Sequence, residues 1–156
     1  MSLVVLIGAS GSCKSTFASR HFKRTEVLSS DFCRGLVADD EGDQSATGDA
    51  FAVLRFVAGR RLAGGRVTVV DATNVRAEDR KMYVELAREH HVLPVAIVLD
   101  LPDKVCQARN RERPDRDFGE HVVRNQSRTL RHGLRGLSRE GFRQVFVLRT
   151  PEEVEQ

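Results

Sequence analysis

The chain has 156 residues, a length that suits one domain with its own hydrophobic core. With 40% hydrophobic and 30% charged residues it excludes a disordered chain, and no apolar run approaches the roughly 18 residues of a membrane span. A net charge of +3 with 6% aromatics and no Trp argues against gripping single strands mainly by base stacking.

Five short apolar runs alternate with longer amphipathic stretches. Residues 3–7 (LVVLI), 26–29, 66–70 (RVTVV), 95–99 (VAIVL) and 144–148 (QVFVL) read as strands. They lack polar alternation and are rich in valine, as expected of strands buried on both faces of a parallel sheet. Between them lie helical patterns. One follows the first strand at 17–22. Phe51, Leu54, Ala58 and Leu62 mark another, stopped by Gly64-Gly65. Residues 77–90 form a third, Pro102 opens a further one in its first turn with Asp103 at the N-terminus, and 119–139 form the last. The acidic stretch 39–43 reads as a solvated loop. The expected class is α/β, a central mostly parallel five-stranded sheet flanked by helices, in one domain over 1–156.

The first strand runs into Gly8-Ala9-Ser10-Gly11-Ser12-Cys13-Lys14-Ser15-Thr16, which matches the phosphate-loop pattern G-x-x-x-x-G-K-[ST] at Gly8, Lys14 and Ser15. A turn into a helix N-terminus exposes backbone N–H groups that can wrap phosphate oxygens. Residues 8 and 10–16 are therefore the expected nucleotide cradle. Lys14 would reach the β- and γ-phosphates and Ser15 would hold Mg²⁺. Cys13 departs from the pattern, which has glycine there. If the position is left-handed, a side chain costs about 1–2 kcal/mol. Either the loop tolerates the thiol or the site is weakened and redox-sensitive, with Cys33 a conceivable disulfide partner.

The second strand ends in Ser29-Ser30-Asp31-Phe32-Cys33-Arg34. Strand C-termini line the ligand crevice in such sheets. Asp31 there can accept a proton from an attacking hydroxyl, with Arg34 holding an anionic group of the acceptor. Alternatively Asp31 caps a helix and Arg34 is a surface charge. The third strand ends in Asp71-Ala72-Thr73-Asn74, either a carboxylate acting on Mg²⁺, directly or through water, or a plain turn.

Only four of the 25 basic residues are lysine (14, 23, 81 and 104), so 21 are arginine, the side chain suited to bidentate phosphate binding. Residues 104–143 hold eleven basic and five acidic residues, a net +6 that leaves −3 for the rest. The part from 109 to 116 contains the helix breaker Pro114 and suits an arginine-rich lid over transferring phosphates. Arg124, Arg128, Arg131, Arg135 and Arg139 recur along one side of a helix, either a solvated face or a track for a polyanionic backbone. The three cysteines are an odd number without metal-ligand spacing, which speaks against a disulfide framework or a structural zinc. No secretory leader is visible, and a cytoplasmic setting is expected.

Residues 3–16, the block 26–37 (EVLSSDFCRGLV), the block 68–75 (TVVDATNV), residues 101–110 (LPDKVCQARN), 139–143 and 151–155 together resemble the N-terminal kinase module of bacterial polynucleotide kinase-phosphatase. The resemblance covers essentially the whole chain. It implies a P-loop kinase fold and transfer of the γ-phosphate of ATP or another NTP, with Mg²⁺, to the 5′-hydroxyl end of RNA or DNA in nucleic-acid repair. It implies that Lys14 and Ser15 serve the phosphates and metal, that Asp31 is the general base and that Arg34 holds a phosphate of the acceptor strand. Arg109 and Arg113 match lid arginines on the NTP. The expected partners are the nucleic-acid end and the NTP, with phosphatase and ligase modules in a longer chain, a homodimer left open, and no membrane. The alternatives are a small-molecule P-loop kinase and a nucleic-acid-binding P-loop domain weakened by Cys13.

Overall fold

The computed structural model describes residues 1–112 and 120–155. Five strands form one sheet in the order β2-β3-β1-β4-β5. They are β1 (Ser2–Ile7), β2 (Val27–Ser29), β3 (Thr68–Asp71), β4 (Leu93–Leu99) and β5 (Gln144–Leu148). All four pairings are parallel, so the sheet is wholly rather than mostly parallel. Central β1 and β3 are almost entirely buried, whereas the edge strands β2 and β5 are only partly covered. That gradient explains why the valine-rich centre was the plainest signal and the second strand the weakest.

Helices α1 (Lys14–His21), α2 (Ser30–Ala38), α3 (Thr47–Ala63), α4 (Ala77–Glu89), α5 (Asp103–Arg111), α6 (Glu120–Gly133) and α7 (Pro151–Glu155) flank the sheet. Alternate residues of β1 divide the core. Leu3, Val5 and Ile7 pack with Leu54, Tyr83 and Leu130, while Val4 and Leu6 pack with Phe17, Leu101 and Val123 on the opposite face.

Several boundaries differ from the sequence reading. The third strand begins at Thr68, two residues late, and extends to Asp71. β4 starts at Leu93, before Pro94, because its pairing with β1 begins at Leu93 opposite Ser2, and the Pro94 carbonyl also accepts from Arg143 N. Pro102 stands just outside α5, and its carbonyl accepts from the amides of Val105 and Cys106. The last helix ends at Gly133, and two 3₁₀ turns, Leu134–Gly136 and Ser138–Glu140, complete the stretch expected as one helix. The glycines at 133 and 136 disfavour a continuous α-helix there. Cys13 and Cys33 lie in the two clusters on opposite faces of the sheet, and neither is in a disulfide, so the structure opposes their pairing. Among the described residues no helix is long and apolar enough to cross a membrane.

Candidate active site

The loop after β1 is held open by small residues. At Gly8 a Cβ would lie 2.9 Å from the Leu99 carbonyl oxygen. Gly11 has φ 81° and its Cβ would lie 2.3 Å from the Cys106 carbonyl oxygen, so α5 packs directly on the loop. Cys13 adopts φ 73° and ψ 21°, the left-handed conformation, at the N-cap of α1. The glycine of the pattern thus has a physical reason at this position, and the cysteine keeps the glycine's backbone. Lys14 Nζ donates to the Ala9 carbonyl at 3.0 Å, folding its side chain back over the loop.

Asp71 closes β3 beside this helix start. Ser15 Oγ donates to Asp71 Oδ2 at 2.8 Å, and Asp71 is only 6% exposed. A hydroxyl and a carboxylate together are hard oxygen donors, a fit for Mg²⁺, which takes few protein ligands and completes its shell with water and phosphate.

Asp31 and Arg34 stand on the first two turns of α2. Ser29 caps this helix, its Oγ accepting from Phe32 N at 3.3 Å, so Asp31 is not the cap. Instead Asp31 Oδ1 accepts from Arg34 Nη1, which also donates to the Glu41 carbonyl. The Arg34 side chain is 11% exposed, not a surface charge, and its buried Nε finds no partner among the described residues. Burial lowers the pKa of this guanidinium, opposed by the charge of Glu41.

These groups meet in one cleft of about 360 Å³. Gly11, Cys13, Lys14, Ser15 and Asp71 line one side, and Ser30, Asp31 and Arg34 another. Asn125, Gln126 and Thr129 of α6 close it. Of the expected cradle, Ser10 and Ser12 are buried, and Gly8, Ser10, Ser12 and Thr16 are outside the cleft lining. Arg109, in the last turn of α5, is likewise not among the lining residues. Arg113 and the rest of the expected 109–116 lid, from 113 to 116, lie outside the described residues.

Three features escaped the sequence reading. Gln126 Oε1 accepts from the Ser10 amide at 2.8 Å, tying α6 to the loop. Arg80 is 1% exposed and makes a two-pronged pair with Glu140, Nε to Oε1 at 2.8 Å and Nη2 to Oε2 at 2.7 Å. Its Nη1 donates to the Asn74 carbonyl at 3.0 Å. Asn74, at φ 50°, donates its side-chain amide to the Leu6 carbonyl, fixing the turn after β3 against β1. Only Asn74 left a trace in the sequence, as part of the Asp-Ala-Thr-Asn turn; a buried arginine cannot be told from a surface one by spacing.

The chain matches the AAA domain family model over residues 3–136. A curated-protein comparison yields no match. Among solved structures, the Pnkp1/Rnl/Hen1 RNA repair complex aligns with a TM-score of 0.73 at 22% identity, covering 86% of this chain and 45% of that one. The AvrRxo1-ORF1:-ORF2 structure with ATP aligns with a TM-score of 0.68 at 17% identity, covering 97% and 55%. The Mycobacterium tuberculosis APS kinase in complex with AMPPNP and APS aligns with a TM-score of 0.62 at 19% identity, covering 99% and 91%. The chain therefore spans about half the length of the first two. With its phosphate loop, parallel five-stranded sheet and P-loop kinase-like fold, the chain belongs to the AAA domain family.

Proposed function

We propose that the protein is a polynucleotide 5′-hydroxyl kinase that binds an NTP in the loop 8–16. The observation that carries this reading is the Asp31–Arg34 pair, which faces the Lys14, Ser15 and Asp71 groups in one cleft. A carboxylate and a guanidinium across from a phosphate loop suit a hydroxyl acceptor that bears a phosphate nearby. The unpartnered Nε of Arg34 is a buried donor awaiting such an anion. Similarity to structures solved with ATP and with AMPPNP supports a nucleotide as donor.

In this reading Asp31 takes the proton of the 5′-hydroxyl as its oxygen bonds to the γ-phosphorus, and the bond to the β–γ bridging oxygen breaks. Arg34 holds the acceptor phosphate and also keeps the Asp31 carboxylate oriented. Lys14 and the loop amides stabilise charge on the leaving and transferring phosphates. Ser15 and Asp71 would hold Mg²⁺, which when bound would offset negative charge on the phosphates. Arg109 and Arg113 are assigned to the NTP by the resemblance, and the chain to the kinase module of a longer repair protein.

The choice of a polynucleotide rests on the blocks 26–37 and 68–75 and on the +6 segment from 104 to 143. A small-molecule kinase is the second reading, favoured by the near-complete mutual coverage with APS kinase. One assay separates them. Wild type should transfer label from ATP to a 5′-hydroxyl oligonucleotide. Asp31→Ala should lower that rate by about 10²–10⁴-fold, the usual contribution of a general base, with NTP affinity within a few-fold. Transfer to no oligonucleotide refutes the proposal, and a variant that keeps most of its activity refutes the base.

A further inference from the structure

Helix α6 separates two concavities. At about 100° per residue its positions fall into three sectors. Val123, Ser127 and Leu130 face the core and are buried. Asn125, Gln126 and Thr129 line the cleft already described. The third sector, Arg124, Arg128, Arg131 and His132, lines a separate groove of about 480 Å³, with Asp103 as its only acid among the described residues.

The groove neighbours the cleft across α6. A shallow depression over the start of α4 shares Thr129 and Arg76 with the cleft, and shares His132 with the groove. A chain leaving the cleft beside Thr129 can therefore pass Arg76, cross α6 over His132 and arrive beside Arg124 and Arg128. The two kinds of arginine differ. Arg131 is held by Asp100 and Asp103, each at 3.3 Å, and so braces α6 on α5. Arg124 and Arg128 are exposed, and no ion pair joins either to another described residue.

We propose that this groove is a second binding site, for the sugar–phosphate backbone of a single strand 3′ of the nucleotide whose 5′ end occupies the cleft. Arg124 and Arg128 are its phosphate contacts. The site rests on the kinase reading for its direction but not for its existence. Four lining side chains that carry or can carry positive charge against one acid select a polyanion. Among the described residues no Phe, Tyr or Trp lines the groove, so recognition runs through phosphate rather than through base sequence.

The test is the double variant Arg124→Ala/Arg128→Ala beside a charge-matched control, Arg55→Ala/Arg60→Ala, on exposed positions of α3. Binding of a 3′-labelled 5′-hydroxyl 12-mer is followed by fluorescence anisotropy over a salt series. Two lost phosphate contacts should reduce the salt slope by about 1.4, equivalent to about 25-fold weaker binding at 0.1 M salt. The control should change little. In phosphate transfer the variant should raise KM for the 12-mer with kcat unchanged, and leave a nucleoside 3′-monophosphate acceptor unaffected. Unchanged 12-mer affinity and salt slope in the variant, an equal loss in the control, or an equal loss with the mononucleotide overturns the track. If wild type transfers phosphate to no acceptor, the kinase reading falls while the anisotropy series still decides the groove.

Discussion

Cys13 stands where its backbone asks for glycine, and Cys13→Gly exposes the size of that conflict. At φ 73° a Cβ costs about 1–2 kcal/mol, which glycine removes. Against this, glycine adds about 0.5–1 kcal/mol of unfolded-state entropy. The substitution also removes a small side chain that is 8% exposed, a loss of about 1 kcal/mol of apolar burial. The three contributions nearly cancel, so the variant should lie within about 1 kcal/mol of wild type, a shift of no more than about 2–4 °C in Tm for a domain of this size. An ordinary buried cysteine, without strain to relieve, would lose about 2 kcal/mol on the same change. Cys13→Val sharpens the contrast. It keeps an apolar side chain, one methyl group larger, but places a branched Cβ in the left-handed region, and should lower stability by more than 1 kcal/mol or so. Thermal melts of the three proteins decide it. A glycine variant destabilised by 2 kcal/mol or more, or a valine variant as stable as wild type, refutes the strain argument. Removing the Cβ also widens the loop's approach to phosphate, so NTP titration of the same glycine variant should show tighter binding.

Glu140→Ala strands the buried Arg80 guanidinium and should lower stability by about 3–5 kcal/mol in denaturant melts, far beyond the effect of removing the exposed Lys81–Glu85 pair. Asp71→Asn keeps the bond from Ser15 but removes the charge beside it, so the Mg²⁺ concentration for half-maximal transfer should rise while apo stability changes little. Burial pushes the Cys106 thiol up to about 11, with Lys14 opposing. The unfolded thiol, at 9.0, releases its proton first, so the folded state binds the extra proton and stability falls as pH rises from 9 to 11, by up to about 1.4 kcal/mol per pH unit. Alkaline urea melts should show a smaller decline for Cys106→Ala than for wild type.

The parts of this fold that were legible in the chain are those where one local rule decides. β1 and β5 were placed within a residue because an unbroken apolar run has no other soluble reading. The limits of α4 follow from its periodic face, and the loop from its glycines and Lys14. Errors arose where partners distant in sequence override the local signal. Pro94 looks like a strand boundary, yet its carbonyl serves Arg143 and β4 runs through it. Leu134 and Leu137 continue a helical spacing, yet Gly133 and Gly136 break the backbone into 3₁₀ turns that bring Glu140 to Arg80.

The site divides the same way, and the division bears on how the cleft is built. Lys14, Ser15, Asp31, Arg34 and Asp71 all sit at strand ends or helix starts, where topology alone directs them into one crevice. Residues that act by holding other residues leave no such mark. Arg80 grips the Asn74 carbonyl from below, and Asn74 reaches across to Leu6, so the segment following Asp71 is clamped to the strand that carries the phosphate loop. Gln126 does the corresponding work from above, anchoring α6 on Ser10. Both walls of the cleft are thus referenced to β1 and its loop, one through a buried ion pair and one through a single amide. The two attachments differ in cost of release. Breaking the Arg80 clamp leaves a buried charge uncompensated, whereas the Gln126 bond exchanges with water for about 0.5–1.5 kcal/mol. α6 itself stays in place through its buried Val123 and Leu130 and through Arg131 on Asp100 and Asp103, so loss of the Gln126 bond should disturb the loop rather than the helix.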